Sequence, residues 1–181
     1  MSPPNLRCPD CRSCLVEDDG RVACGNPQCA ACGLEKPVWR ALEDAGLAAE
    51  AATGLPRQVH QGLPVPWVAA ATRERVWWRA MDARRLAAAH NHWLCQVCGQ
   101  PLPQQAWVLA TPDGTVLQAA LHQDCVHLAL RSCPHLSGGA SRATPRLSTR
   151  AQLTAGGRPL DQAPPSEPDF LHQWHLADPA P

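Results

Sequence analysis

Residues 95–125 read CQVCGQPLPQQAWVLATPDGTVLQAALHQDC, and this stretch decides what kind of fold the chain builds. Cys95 and Cys98 form a C-x2-C knuckle followed by Gly99, a spacing that lets two thiolates reach one metal around a tight backbone turn. Ala106–Thr111 is rich in apolar residues, Pro112-Asp113-Gly114 carries turn chemistry, and Thr115–Leu121 returns, which predicts a β-hairpin. His122-x2-Cys125 then opens a helix-like segment, where ligands three apart point the same way. Knuckle, hairpin and helix-borne pair predict a treble-clef-like Cys3His site in which Cys95, Cys98, His122 and Cys125 hold Zn2+. His127, Cys133 and His135 lie beyond it. Cys133 is eight residues past Cys125, ~12 Å along a helix axis, so packing near the helix end is its expected role; replacement of His122 as a ligand is the alternative.

Composition limits what else the 181 residues can build. Lys+Arg and Asp+Glu both number 16, so no global field selects nucleic acid or an anionic membrane. MSPPNLRCPD contains no apolar segment of a secretory signal, and no apolar run approaches the ~20 residues of a membrane span. A cytoplasmic, reducing environment is therefore expected, where ten cysteines with C-x2-C spacing favour zinc over disulfides. Seven Trp and one Phe, with no Tyr, cannot fill one large core, which predicts small metal-stapled α+β modules.

A second cluster opens the chain. Cys8, Cys11, Cys14, Cys24, Cys29 and Cys32 surround Leu15-Val16-Glu17, Asp18-Asp19-Gly20 and Arg21-Val22-Ala23, which read as strand, turn, strand. A hairpin with a cysteine knuckle at each end is a zinc ribbon, and four ligands suffice for its ion. Cys8 and Cys11 with Cys24 and Cys29 is the first choice. Cys8 and Cys11 with Cys29 and Cys32, or Cys11 and Cys14 with Cys29 and Cys32, remain open. Two Zn2+ per chain are expected.

Between the modules, Pro37–Thr53 is Ala-rich and predicts a helix stopped at Gly54. Leu55–Pro66 reads as an extended Pro/Gly linker, and Pro66–Ala69 as a short strand. Arg73–Trp93 is basic, five arginines against Glu74 and Asp82. As one helix it places Trp78 opposite the apolar face, near Arg75 and Arg85; a helix starting late, with Asp82 as N-cap for Ala83–Trp93, is the alternative. Arg75, Trp78, Arg79 and Arg85 are the candidate partner-binding residues, for an unknown protein or for nucleic acid. His90-Asn91-His92 spells HNH, but the hairpin after the knuckle has no histidine and only Asp113 as a carboxylate, so a water-activating nuclease centre cannot be assembled. No small-molecule substrate is indicated.

Two resemblances accompany this reading. Cys8-Pro-Asp-Cys11 with Cys24-Gly-Asn-Pro-Gln-Cys29 resembles the C-P-x-C … C-x-N-P-x-C zinc fingers of bacterial DNA ligases and type I topoisomerases, with Arg12 where a glycine is usual. Val65-Pro66-Trp67, LCQVCGQPL, LHQDCVHLAL and CPHL together resemble an uncharacterised zinc-binding family of actinobacteria and their phages over residues 63–136, which implies fold and source but no activity. The expected organisation is a zinc ribbon over 1–34, a helical connector with its linker over 35–94, the treble-clef-like module over 95–136, and a disordered Pro/Gly-rich tail over 137–181. Within that tail Phe170, Leu171, Trp174 and Leu176 form a local apolar cluster, expected as a docking segment or as bare coil. A non-enzymatic zinc adaptor is the expected function, with direct nucleic-acid binding next and a metal-dependent hydrolase last.

Overall fold

The computed structural model describes residues 6–8, 10–13, 15–18, 21–46, 54, 58–137 and 142–177. It is a small α+β protein whose sheets are short and antiparallel. In chain order the strands and helices are β1 (Leu15–Asp18), β2 (Arg21–Cys24), β3 (Glu35–Pro37), α1 (Val38–Asp44), β4 (Val59–His60), β5 (Leu63–Pro64), β6 (Ala69–Ala71) and β7 (Val76–Met81). There follow α2 (Ala83–His92), β8 (Gln105–Ala110), α3 (Gln123–Ser132), α4 (Pro134–Ser137), β9 (Thr144–Thr149), β10 (Leu153–Ala155), β11 (Arg158–Pro159) and β12 (Trp174–Leu176). No helix among the described residues is long and apolar enough to cross a membrane. The chain divides into two compact units, Met1–Ala51 with Val68–Asp82, and Ala52–Trp67 with Ala83–Pro181.

In the first unit β1, β2 and β3 form one antiparallel sheet, with Val16 opposite Ala23 and Ala23 opposite Glu35. The β1–β2 hairpin is the one expected from its cysteine-flanked sequence; its turn residues 19–20 lie outside the described residues. α1 buries Val38, Trp39, Ala41 and Leu42. Its glycine stop is Gly46, at φ 66°, whose amide bonds to Glu43; this replaces the expected stop at Gly54, and residues 47–53 lie outside the description. Glycine suits this left-handed position because it lacks the Cβ that would clash there.

The single helix expected over Arg73–Trp93 is corrected by the structure. Val76–Met81 is a strand paired with β6, and helix begins only at Ala83, where the alternative reading put it. Val76, Trp77 and Trp78 are β-branched or aromatic and suit a pleated surface, where Val76 and Trp77 bury their side chains. The register with β6 slips between Ala69 and Ala70, so Trp78, Arg79 and Ala80 bulge from β7. Glu17 of β1 accepts a hydrogen bond from the Trp77 indole at 2.9 Å and pairs with the Arg75 guanidinium. The segment expected as connector is thus tied to the β1–β2 hairpin. In place of a wholly extended linker, β4 and β5 make a hairpin around Gln61 and Gly62, both at positive φ as a two-residue turn requires.

In the second unit the hairpin predicted from Ala106 to Leu121 forms in part. The turn closes through Thr111 and Thr115, and Trp107 exchanges backbone hydrogen bonds with Leu121. The return limb is not a regular strand, because Gln118 sits at φ 62° and interrupts it. The continuous partner of β8 is β9, from Gln105 opposite Thr149 to Ala110 opposite Thr144.

That pairing corrects the expectation of a disordered tail. Residues 142–177 are built into the unit: β9 flanks β8, β10 is sandwiched between β11 and β12, and Leu153, Ala155, Leu160 and Trp174 are buried. The Gly/Pro/Ser composition hid these few, well-spaced apolar residues. Trp174 is the chief anchor. It is 1% exposed, its ring lies 4.2 Å from His90 and stacks 6.1 Å from Trp93, and its carbonyl accepts the Val116 amide. The HNH letters act here as well. Asn91 clamps the backbone of Ser166 from both sides, at 2.9 and 2.7 Å, and His90 bonds the Gln118 carbonyl through Nε2 at 2.9 Å.

This packing can be tested at two of its members. Trp174→Ala should lower the unfolding free energy of the metal-loaded protein by about 3–5 kcal/mol, read by denaturant titration; an unchanged midpoint would mean the tail does not hold the unit together. Burial drives the His90 imidazole down to about 4, against a hydrogen bond to Gln118 and with help from nearby His172. Its folded value thus lies below its unfolded value near 6.5, so the neutral ring stabilises the fold above pH 6.5, and this contribution fades as pH falls towards 4, by about 3 kcal/mol. An NMR titration of His90 with a midpoint near 6.5 would refute the assignment.

Candidate metal centres

Two groups of donors converge, one in each unit. Cys8, Cys11, Cys24 and Cys29 place their sulfurs within 4.8 Å of one another, and so do the donor atoms of Cys95, Cys98, His122 and Cys125. Each group can hold a metal ion. They are the two sets put first on spacing, and no third cluster occurs among the described residues.

In the N-terminal group, the loop before β1 carries Cys8 and Cys11, while Cys24 ends β2 and Cys29 follows in a turn. Cys8 and Cys29 sulfurs lie 3.8 Å apart, Cys11 and Cys24 sulfurs 3.5 Å. A tetrahedron with 2.3 Å metal–sulfur bonds has edges of about 3.8 Å. Arg12, standing where a glycine is usual after such a knuckle, adopts φ 60°, the left-handed conformation that glycine enters without penalty. Cys32 is exposed and outside the group, bridged by its backbone to Cys24. Cys14 lies outside the described residues.

The second group rests on a more elaborate frame. The knuckle is closed by Gly99 donating to Cys95 at 2.7 Å and Cys95 to Gln100 at 2.9 Å. Gly99 sits at φ 71°, and a Cβ there would stand 2.8 Å from the Trp67 ring. Glycine is therefore required twice over, by the backbone and by the indole laid across it. The Trp67 amide bonds Val97, and the Gly54 amide bonds Cys98, so residues far upstream brace the knuckle. His122 immediately precedes α3 and Cys125 lies in its first turn. His122 Nδ1 is 3.4 Å from the Cys98 sulfur, and Nε2 donates to the Pro101 carbonyl at 3.0 Å. That bond fixes the tautomer that leaves Nδ1 as the donor to a metal, the usual outer support of a ligating histidine. Cys95, Cys98 and Cys125 are buried against Val97, Leu109, Leu121 and Val126.

Without a cation the sulfurs cannot share one charge state. A hydrogen bond from Cys125 pulls the Cys95 thiol down, opposed by burial and aided by the Cys98 amide; Cys125 is pushed up by the same bond, and Cys98 by burial. In the other group hydrogen bonds from Ser13 lower Cys11 to about 6, whereas Cys29 is raised to about 12, desolvation and neighbouring thiols outweighing the Ala31 amide. In each group one thiol is drawn towards ionisation, Cys95 or Cys11, while Cys98 and Cys125, or Cys24 and Cys29, are pushed away from it, a conflict that a divalent ion would relieve.

Cys133 lies apart, its amide closing α3 onto Ala129. Of the candidate partner residues, Arg75 is held by Glu17 and lies 4.7 Å over the Trp77 ring, and Arg85 donates to the Trp67 carbonyl within the other unit. Trp78 and Arg79 are exposed on the β7 bulge. The braces Trp67, Gly54 and Pro101 escaped the reading of ligand spacing, although Trp67 stands in the Val-Pro-Trp pattern ahead of the knuckle. Comparison with family models, with curated proteins and with solved structures returns no match.

Metal analysis of protein purified in reducing buffer should give two ions per chain. His122→Ala and Cys98→Ala should each lose one and unfold their unit, since a structural metal contributes on the order of 10 kcal/mol. Cys133→Ala and Cys32→Ser should keep both ions; loss of metal from either would redraw the ligand sets.

Proposed function

We propose that the chain is a non-enzymatic zinc-binding adaptor of a reducing, cytoplasmic compartment. Its first unit carries a ribbon-type zinc site and its second a treble-clef-like one. The observation that carries this reading is the closure of both donor sets. Each has four protein donors of the soft, thiolate-rich kind that selects zinc, and neither includes a carboxylate. A catalytic zinc keeps a position for water and a base to use it. Here four protein donors fill the tetrahedron in each group. The zinc sites act as folding staples, and function lies on the surfaces that they hold rigid.

The resemblance of the N-terminal cysteines to zinc fingers of DNA ligases and topoisomerases supports a role beside nucleic-acid enzymes. Direct contact with phosphate is less well supported, because Arg75 is already neutralised by Glu17. The exposed Trp78, with Arg79 beside it, suits a protein partner. Aromatic and arginine side chains dominate such contacts.

The test is affinity purification of the intact, zinc-loaded chain from its host, compared with Trp78→Ala. Loss of a specific complex on substitution supports the adaptor reading. A duplex-DNA titration serves as the counterpart: tight binding whose log–log salt slope reaches roughly −3 would mean three or four phosphate contacts and would replace the protein partner with nucleic acid.

A further inference from the structure

Charge is balanced over the whole chain but not along it. The 36 residues between Asp124 and Asp161 contain no Asp or Glu and five arginines: Arg131, Arg142, Arg146, Arg150 and Arg158. Arg150 turns inward, its guanidinium 5.9 Å over the Trp93 ring and bonded to the Leu160 carbonyl. The arginines at and just before β9 do not. Arg142 and Arg146 are exposed, as is Thr144 between them, and these three side chains make no hydrogen bond or ion pair among the described residues. Ala143 packs against the buried cluster of the metal centre. Side chains alternate along extended chain, so Arg142, Thr144 and Arg146 form a row on the other face, about 7 Å from one to the next.

The outer edge of β9 is closed to a further strand. Trp107 spends its amide and carbonyl on Leu121, so Thr144, Arg146 and Ser148 are the residues whose backbone groups turn towards β8. Those facing outward are Pro145, which has no N–H, Leu147, and Thr149, whose N–H bonds the Gln152 side chain at 3.0 Å. A peptide laid along this edge would find one backbone donor, at Leu147. What β9 offers a partner is therefore its side chains: two cations and a hydroxyl at a regular interval.

From this we infer that β9 is a contact for the phosphate backbone of nucleic acid, with Arg142 and Arg146 each on a phosphate and the Thr144 hydroxyl donating to an oxygen between them. Guanidinium and hydroxyl groups are the side chains that fix a protein on phosphates, and anions repeated along a polymer at a step of the same order match the row. An acidic peptide lacks the backbone pairing that would hold it there. Two phosphates give weak binding without base readout, with a Kd on the order of 100 µM at physiological salt. This contact lies apart from Trp78 and goes beyond the adaptor reading.

Anisotropy titration of a labelled mixed-sequence DNA duplex with the metal-loaded full chain tests it. The wild type should bind with a log–log salt slope of roughly −2, losing about tenfold in affinity between 50 and 200 mM salt. Arg142→Gln with Arg146→Gln, both at exposed positions, should keep two metals per chain, flatten the slope and weaken binding at 50 mM about tenfold or more. Either change alone should reduce the slope by about 1. Arg142→Lys with Arg146→Lys should keep the slope, since a point charge suffices for a phosphate. A wild type that does not bind overturns the inference, as does binding that the glutamine variants leave unchanged. Equal binding of polyglutamate or of phosphatidylserine vesicles, lost in the same variants, also overturns it, because the row would then not select nucleic acid. If a protein complex depends on Trp78 while duplex binding ignores β9, the inference fails and the adaptor reading stands. If duplex binding follows β9 and no complex depends on Trp78, the reverse holds.

Discussion

Four electron-rich donors within 4.8 Å of one another are the constraint on which each unit depends. Sulfurs that close repel when ionised and waste their burial when protonated. The protein nonetheless brings them together with backbone hydrogen bonds, glycine turns and apolar walls. A cation bound at each group would relieve that conflict and tie the surrounding loops together. The units are too thin in large apolar residues to replace that term with a core.

The support around the second group shows how far the requirement spreads. A histidine nitrogen is committed to Pro101, a glycine is committed to an indole, and Trp67 and Gly54 hold a knuckle that follows them by tens of residues. The tail serves the same body, as a strand along β8 and as the buried Trp174 against α2. Segments that are poor in hydrophobic residues become ordered because each contributes one well-placed side chain.

The second donor set was legible in the sequence because ligand spacing is a local property, whereas the first was one of three sets that spacing left open. C-x2-C and H-x2-C state their geometry within one turn of chain, and the Cys24–Cys29 pair states it within a loop. The tail was not legible. Its ordering comes from β9 meeting the distant β8 and from one tryptophan, neither of which leaves a periodic trace. The strand at Val76–Met81 was hidden for a related reason: its arginines and alanines suit a helical face, and only the pairing with β6, bulge included, settles its conformation. Trp67 had a signal, its place in the Val-Pro-Trp pattern, but spacing alone does not say that an indole must cover Gly99.

The division of the chain has a consequence for its ancestry and its engineering. The path passes from one unit to the other at 51/52, at 67/68 and at 82/83, so neither unit is an unbroken stretch of sequence. A cut at any one of these points leaves at least one unit in two pieces or missing a piece. The protein therefore does not behave as a string of interchangeable beads. Gene fusion or recombination that carried off the N-terminal cysteines alone would leave β6 and β7 behind, and with them the residues that grip Glu17. The two halves, each with its donor group, form one interleaved chain that no single cut divides into two whole units.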